Sequence, residues 1–352
     1  MPNRRYRSTQ PGSRRLPLAA LALLFVLVPL ASCRGLDRER AAASGTHETG
    51  GRIEGSAPAM HDRLRSEQAP ARAAFVDGDV FFGLYDPHRL HTDFAGLDVE
   101  LIYVAWQEYE AGALARQAAE AMAAGRRLMI TVEPYTRAID WRAGGGPGHL
   151  AAIVAGEFDR ELERVCRDIG ALAEPAMVRW GHEMEAPGDR YPWHSGDGED
   201  FVAAYRYFVE RCRSFAPAAL YVWSPRGDRT LDAYYPGPDV VDIVGVSVFS
   251  LYEFEVDYFG YYRTFGGHFL EKYARVEDYG HPVIVAEMGV ASNNAAQSPQ
   301  IQRHWFASMC RHMDDFALLE GIVYFNEVEP WYWPDGYGSP DWRIDPAMLL
   351  CD

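Results

Sequence analysis

The chain alternates short apolar segments with amphipathic segments from about residue 79 to residue 333. The apolar segments are rich in β-branched and aromatic residues and end at Gly, Pro or Asp, which is typical of buried strands. The amphipathic segments carry apolar residues at helical spacing, which is typical of helices packed on a sheet. Eight strands with mostly helical connections predict an α/β fold, a single (β/α)₈ TIM barrel.

The pattern places these elements at definite positions. The predicted strands are 80–87, 99–109, 126–135, a strand that starts at residue 176, 220–228, 241–250, 281–290 and 321–333. The predicted helices include 149–173, 200–215 and 300–316. With no internal repeat and no sign of a second domain, we expect one barrel domain over residues 73–352.

Residues 1–32 have the pattern of an export signal. An arginine-rich head is followed by the apolar segment Leu16–Leu30, which is short and contains two prolines. That favours a cleaved signal peptide over a retained membrane helix. The segment leads into Leu-Ala-Ser-Cys33, which resembles a bacterial lipobox, so we expect Cys33 to be lipidated. An ordinary signal with an incidental cysteine is the alternative.

The segment after Cys33 has no apolar periodicity and many charges, which predicts a flexible tether over residues 33–72. The lipid anchor would hold the barrel to the cell envelope. Arg34, where an inner-membrane retention aspartate would stand, favours the outer membrane or the cell surface. We expect the membrane to be contacted through this anchor only, and the protein to be a monomer.

Charge and composition exclude several function classes. The formal net charge is −16, and removal of residues 1–32, which hold five arginines and no acids, leaves −21. This charge repels phosphate backbones, so we expect no nucleic-acid partner. Lys272 is the only lysine, which excludes Schiff-base chemistry at a strand end. Glycine-rich phosphate loops are absent too, and we expect no cofactor.

Four cysteines lie in the predicted barrel, namely Cys166, Cys212, Cys310 and Cys351. Cys166 and Cys212 are in phase with the apolar stripes of their predicted helices, so we expect buried free thiols. Disulfides are the alternative, because an exported protein can form them. The cysteine spacings predict no metal site.

Polar and aromatic residues collect where the predicted strands end. They are Tyr85, Asp86, Trp106, Glu108, Glu133, Tyr135, His182, Glu183, Trp223, Arg226, Glu287, Asn326 and Glu327. Active sites of (β/α)₈ barrels lie on that face.

Glu183 and Glu287 follow or end strands four and seven, which face each other across a barrel mouth. Two carboxyl groups about 5–5.5 Å apart suit retaining glycoside hydrolysis, in which one attacks the anomeric carbon and the other moves protons. We expect apolar neighbours, Trp180 and Met184, to raise the pKa of Glu183, and Arg179 to hold a carboxylate ionised. For each glutamate a rim salt bridge is the alternative.

Aromatic side chains near the strand ends are candidate sugar platforms, because pyranose rings bury their C–H faces on such rings. The tryptophan candidates are Trp106, Trp193, Trp223, Trp331 and Trp333, and Tyr85 and Phe249 are further candidates for substrate contact. Packing in the core is the alternative for each.

The motifs RWGHEM at 179–184, YPW at 191–193 and VAEMG at 285–289 resemble glycoside hydrolase family 26. The resemblance implies a retaining (β/α)₈ glycosidase acting on β-1,4-mannan, mixed-linkage β-glucan or β-1,3-xylan. It also implies that Glu183, paired with His182, is the acid/base and that Glu287 is the nucleophile. Because His182 lies next to the acid, we expect it to contact or orient substrate, and a structural histidine is the alternative.

The chain departs from the family pattern at four positions. Glu185 stands where asparagine is common and Arg190 where tryptophan is usual. Ser247 and Phe249 stand where the family usually has an aspartate and a tyrosine, and Tyr252 is the candidate substitute for that tyrosine. These differences leave the cleavage residues in place and point away from plain mannan.

The leading hypothesis is therefore a lipid-anchored, retaining endo-β-glycanase acting on a polysaccharide outside the cytoplasm, of β-mannan or β-glucan type. The alternative is a non-catalytic glycan-binding lipoprotein on the same scaffold. A metal-dependent hydrolase is a third reading, in which His88 and His91 would be ligands, but no His-x-His motif lies on a strand.

Overall fold

A computed structural model describes residues 80–136, 147–186, 190–196, 198–329, 333 and 336–351 of the 352-residue chain. The predicted signal peptide, Cys33, the tether and Trp331 lie outside these residues.

Eight parallel strands close into a barrel in which each strand pairs with its neighbours in the sequence and β8 pairs with β1. The strands are β1 (Phe81–Tyr85), β2 (Val99–Ala105), β3 (Arg127–Glu133), β4 (Met177–Trp180), β5 (Leu220–Trp223), β6 (Ile243–Leu251), β7 (Val283–Ala291) and β8 (Leu319–Phe325). The predicted (β/α)₈ barrel is confirmed, with strands shorter than predicted where polar residues leave the sheet.

Helices connect most of the strands and form the outer layer. Those described are α1 (Ala113–Ala123), α2 (Pro147–Val154), α3 (Asp159–Gly170), α4 (Glu199–Arg213), α5 (Tyr252–Phe259), α6 (Phe265–Val276) and α7 (Ser298–His312). The single helix predicted over 149–173 is wrong. It is interrupted at Gly156, whose positive φ of 82° ends α2 before α3 begins.

The barrel interior is apolar at its lower end and polar at its upper end. Its apolar filling is the separate cluster Phe81, Val99, Leu101, Met129, Met177, Val222, Ile243, Ile284, Ala286 and Val323. Side chains two residues apart on a strand share a face. The next inward residue on β4 after Met177 is therefore Arg179. Its charged side chain lies in the interior at the carboxyl ends of the strands.

The prediction of free thiols is wrong, because two disulfides are present. Cys166 on α3 is bonded to Cys212 on α4, with the Cα atoms 5.2 Å apart. Cys310 on α7 is bonded to Cys351 near the C-terminus. The cysteines of the first pair do lie on apolar stripes, as predicted, but the two stripes face each other. The position of a cysteine on a buried apolar stripe therefore does not indicate whether it is a free thiol or part of a disulfide.

In the described part of the chain, every helix is too short or too polar to cross a lipid bilayer.

Candidate active site

The turn after β4 brings three predicted site residues together. Arg179 points into the barrel, and the chain then turns through Gly181 and Glu183, whose φ angles are +56° and +52°. Such a φ is uncommon for a residue with a Cβ. The Glu183 N–H donates to the Ser224 carbonyl at 2.8 Å, which fastens the turn to the end of β5. Glu183 is thereby held, 4% exposed, at the barrel mouth.

Arg179 links the ends of four strands. Its Nη2 lies 2.6 Å from Glu287 Oε1 on β7, and both side chains are buried. Its Nε donates to Thr131 Oγ1 on β3 at 2.8 Å, and Nη2 donates to the Tyr103 hydroxyl on β2 at 3.1 Å. Because several hydrogen bonds hold the Arg179 guanidinium in place, it orients the Glu287 carboxylate, as a nucleophile requires.

An irregularity between β6 and β7 places Glu287 inside the barrel. The register shifts after Val246, so that Ser247 stands opposite Glu287. Ala286, one residue earlier, belongs to the interior apolar cluster. A regular strand would turn consecutive side chains to opposite faces. The shift thus gives the interior an added carboxylate, and Ser247 also helps to lower the pKa of Glu183.

His182 is buried beside Glu287 and directly precedes Glu183 in the sequence, and the rings of Tyr191 and Trp193 pack against it. Its Nε2 lies 3.9 Å from Glu287 Oε1. The ring contacts Tyr191 edge-on at 5.0 Å, and the Trp193 indole N–H donates to the His182 carbonyl at 2.7 Å. Burial, reinforced by the charge of Arg179, lowers the pKa of His182 well below its ordinary value. His182 is therefore neutral at physiological pH and able to donate or accept one hydrogen bond.

The environment of Glu183 differs from the expectation. Burial raises the pKa of this carboxyl, but the charges of Arg190 and Arg226 outweigh it, and the pKa falls below its ordinary value. Arg190 Nη1 lies 3.9 Å from Glu183 Oε2. The expected contribution of Trp180 is wrong, since its ring points outward and stacks on Phe208 of α4. Without substrate, Glu183 is ionised.

The pKa values of Glu287 and Glu133 are raised, whereas that of Glu183 is lowered. Burial raises the pKa of Glu287, and the Arg179 ion pair is the strongest effect that opposes it. Arg179 does support ionisation of a carboxylate, as expected, and that carboxylate is Glu287. Glu133, at the end of β3, has its pKa raised to about 7 by burial, against a hydrogen bond from Tyr135. A third carboxyl group therefore lies in the mouth and is partly protonated near neutrality.

Three of the predicted sugar platforms cannot present a ring face to a sugar. Trp106, Trp193 and Trp223 are each 0% exposed. Trp106 stacks on Phe158 between the sheet and the helices, and Trp223 packs against Tyr235 and Tyr279.

The third of these tryptophans, Trp193, stacks on Tyr191 and supports the His182 backbone. Tyr85 and Phe249 are half-buried at the mouth, where both rings contact Phe325. Trp331 lies outside the described residues. Tyr252, the expected substitute for a hydroxyl at Phe249, packs on Tyr262 instead.

Sequence reasoning gave no role to Tyr103, Tyr191 or Glu133, although it placed Glu133 on the active-site face. Tyr103 contacts Arg179 and Glu287 from β2, and the Tyr191 hydroxyl lies 3.5 Å from Glu183 Oε2. A signal was available for Tyr103, which follows the inward residues Val99 and Leu101 at the strand spacing of two. Tyr191 lies in a loop, where spacing gives no direction.

One of the histidines considered as metal ligands is engaged otherwise, because His88 Nε2 pairs with Glu327 Oε2 at 2.6 Å. The backbone N–H of His91 donates to Asp86 Oδ2 at 2.7 Å. Over the described ranges, no group of three or more His, Cys, Asp or Glu side chains is arranged to hold a metal ion.

A family profile, Glycosyl hydrolase family 26, matches residues 155–312. The matched segment runs from the residue after α2 to the end of α7 and includes the Arg179–Glu183 turn and Glu287. The likeness to family 26 thus covers the part of the barrel that carries both glutamates.

Individual family 26 relatives are distant. A curated β-1,3-xylanase from Alcaligenes sp. is 23% identical over 230 residues, which span 58% of this chain and 46% of that protein. The chain spans about half the length of the curated relatives it matches. Among solved structures, GH26C from Muricauda sp. MAR_2010_75 has a TM-score of 0.55 at 14% identity, covering 76% of this chain and 82% of that one. A GH26 β-mannanase from Bacteroides ovatus has a TM-score of 0.53 at 15% identity, covering 76% and 84%. These likenesses show the fold.

Proposed function

We propose that the protein is a retaining endo-β-glycanase that hydrolyses β-glycosidic bonds of a polysaccharide outside the cytoplasm. One observation carries the proposal. Two buried glutamates, Glu183 and Glu287, lie at the carboxyl ends of β4 and β7, and the charge of Glu183 raises the pKa of Glu287. A pair of interacting carboxyl groups with different charged neighbours suits the two roles of a double displacement.

In the first step the ionised Glu287 carboxylate attacks the anomeric carbon and forms a glycosyl–enzyme ester. The bond from that carbon to the leaving oxygen breaks, and Glu183 donates its proton to that oxygen. Arg179 orients Glu287, and the Tyr103 hydroxyl interacts with the same carboxylate. Neutral His182, 3.9 Å from Glu287 Oε1, is placed to hydrogen-bond the sugar held there.

In the second step Glu183, now ionised, removes a proton from water. The water oxygen attacks the anomeric carbon, the ester to Glu287 breaks, and the product leaves with its original anomeric configuration. The glutamates return to their starting protonation states, so that the protons balance over one turnover.

The first step requires Glu183 to be protonated, whereas Arg190 favours its ionised form. Arg190 also approaches Glu329, with Nη2 3.9 Å from Oε1. A sugar bound against Glu183 would separate it from the guanidinium, which retains Glu329 as its partner. Removal of a nearby positive charge raises the pKa of a buried carboxyl group. Substrate binding would thus create the acid that the reaction needs.

The substrate is a β-linked neutral or weakly charged polymer. The mature chain is strongly acidic, which disfavours polyanions. The relatives include proteins named β-1,3-xylanases and a β-mannanase. Galactomannan, β-1,3-xylan and mixed-linkage β-glucan are therefore the polymers to test first, with product sizing to separate endo from exo cleavage.

The deciding experiment follows the anomer first released from the hydrolysed polymer by proton NMR. The β-anomer is expected. Release of the α-anomer would overturn the assignment of Glu287 as nucleophile. Glu287→Gln, which keeps the side-chain volume, should abolish hydrolysis while the protein remains folded and still retains the polymer in affinity electrophoresis.

A non-catalytic glycan-binding protein on this scaffold is the second candidate, favoured by the ionised state of Glu183 without ligand. It predicts that wild type and Glu287→Gln retain the same polymer equally and that neither releases reducing ends. The hydrolase predicts reducing ends from wild type alone.

We also propose that a lipid on Cys33 anchors the enzyme to the cell envelope. The lipobox-like segment supports this, and the two disulfides fit an oxidising compartment. Wild type should partition into Triton X-114 when made in a lipoprotein-processing host, and Cys33→Ser should remain in the aqueous phase. Sedimentation would test the expected monomer.

A further inference from the structure

Helix α5 follows directly from β6 and so begins on the active-site face of the barrel. It presents several rings to solvent, with Tyr258 74% exposed and Phe259 38% exposed. Scattered exposed apolar side chains are ordinary in soluble proteins, but grouped aromatic ones mark binding surfaces.

They are continuous with the mouth that holds Glu287. Phe254 of α5 stacks on Tyr258 at 5.4 Å and contacts the Trp333 ring edge-on, also at 5.4 Å. Trp333 contacts Trp342 at 5.6 Å, and Trp342 contacts Phe249 at 5.2 Å.

Phe249 lies at the mouth itself. It contacts Phe325, which contacts Tyr85 and Tyr103, and Tyr103 touches Arg179. Phe249, Trp333 and Phe254 are all only partly buried, so this side of the mouth is lined with accessible ring surface. Trp193, which lies beside His182, is in contrast fully buried.

The helix is fixed in place rather than loosely attached. Glu253 accepts hydrogen bonds from the Ser292 hydroxyl and the Asn293 N–H after β7, at 2.6 and 3.0 Å. Asp257 accepts from the Tyr337 hydroxyl at 2.9 Å. A platform that is ordered before binding loses little entropy when a ligand arrives.

The chemistry of this surface fits a sugar chain. Rings separated by carboxylates offer flat apolar faces for the C–H surfaces of pyranoses and acceptors for their hydroxyl groups. We propose that Trp333, Phe254 and Tyr258 form a remote binding surface for further sugar residues of the same polysaccharide that enters the mouth. This inference rests on the proposed function, which identifies the ligand as a polysaccharide. It adds that the polysaccharide runs over β6 and α5.

The test compares long and short substrates in wild type, Tyr258→Ala, Tyr258→Phe and Tyr261→Ala. Tyr261 is the matched control, since it is 60% exposed in the same segment and no described ring contact joins it to the series. The long substrate is the one of galactomannan, β-1,3-xylan and mixed-linkage β-glucan that wild type hydrolyses. The short substrate is the shortest oligosaccharide of that polymer that is cleaved.

Tyr258→Ala should raise KM for the polymer about fivefold, the size of effect expected for one lost ring contact. Its kcat, and both constants for the short oligosaccharide, should stay at the wild-type values. Tyr258→Phe and Tyr261→Ala should behave as wild type. Equal effects on long and short substrates, an equal effect of Tyr261→Ala, or no effect of Tyr258→Ala would overturn the inference.

Failure of the proposed function is distinguishable from failure of the surface. If wild type hydrolyses none of the three polymers, the same four proteins are compared by affinity electrophoresis in each polymer, where weaker retention of Tyr258→Ala alone supports the surface. Equal retention of all four, or no retention of wild type, overturns it. A wild-type dimer in sedimentation that Tyr258→Ala makes monomeric would assign the rings to a second copy and also overturn it.

Discussion

Arg179 and Glu287 form a buried ion pair in which Nη2 and Oε1 lie 2.6 Å apart. Arg343 and Asp341 have the same separation, but their side chains are 44% and 52% exposed. The two pairs share a distance and differ in solvent access, so that a comparison between them contrasts a buried pair with an exposed one. Removal of one partner of a buried pair leaves an uncompensated charge in a medium of low polarity.

Arg179→Met should therefore lower the free energy of unfolding by about 3–5 kcal/mol. It should also reduce kcat on the hydrolysed polymer, because Glu287 loses both its orientation and the charge that favours its ionised form. Urea unfolding followed by tryptophan fluorescence measures the first effect. Arg343→Met should cost less than about 1 kcal/mol, as exposed pairs do. A loss for Arg179→Met no larger than that for Arg343→Met would contradict the role given to the buried pair.

Arg190 should control the pH at which Glu183 loses its proton. Burial raises the pKa of Glu183 and Arg190 is the strongest effect that lowers it, so Arg190→Gln should raise this pKa. An acid with a raised pKa remains protonated to higher pH. The alkaline limb of kcat/KM against pH should therefore shift upward in Arg190→Gln, which initial rates across a pH series will measure.

Arg190→Lys is the matched control, since it keeps the charge at a similar distance. Its alkaline limb should lie close to that of wild type. If Arg190→Gln leaves the limb of kcat/KM unmoved, Glu183 is not the group that titrates there, because kcat/KM reports the free enzyme. The limb of kcat, which reports the enzyme–substrate complex, should move less, because bound sugar separates Arg190 from Glu183.

The barrel and its two glutamates were predictable because each depends on local pattern and topology. Alternating strands and helices specify a parallel barrel, and every strand of such a barrel ends on the same face. Glu183 and Glu287 therefore had to share an end of the barrel once β4 and β7 were recognised.

The direction of side chains was harder to predict. Trp223 follows the inward-facing Val222 and so points outward, a parity that was readable once strand boundaries were known. The disulfide between Cys166 and Cys212 depends on how two helices face each other. The ionisation of Glu183 depends on Arg190 and Arg226, which reach it from two different loops. Relations of this kind require three-dimensional packing and are not properties of any segment.

Lys272 should titrate well below an ordinary lysine. Burial lowers its pKa to about 8, against the opposing charge of Asp228. Nζ donates to the Arg226 carbonyl, which ties α6 to the loop beside Glu183. Because it is the only lysine, protein labelled with ¹⁵N-lysine should give one side-chain signal to follow. We expect a midpoint near pH 8, and a midpoint above 10 would contradict its burial.

The same shift has a consequence for stability. A depressed lysine pKa means that the unfolded chain binds more protons than the folded one between pH 8 and the unfolded pKa of 10.5. The contribution of Lys272 to stability should therefore be least favourable below pH 8 and improve as the pH rises through that window. Lys272→Met, compared with wild type by urea unfolding at pH 7 and pH 10, should remove this improvement. An unchanged difference between the two pH values would contradict it.

The two disulfides should be present in exported protein and should stabilise it. In Cys33→Ser, thiol titration in denaturant should find no free thiol before reduction and four after it, since Cys166 pairs with Cys212 and Cys310 with Cys351. Cys166→Ala/Cys212→Ala should lower the free energy of unfolding by about 2–4 kcal/mol, because the unfolded chain regains the freedom of a closed loop. The same double variant measured under reducing conditions, against reduced wild type, is the control that separates this effect from lost packing. Two or more free thiols before reduction would contradict the pairing.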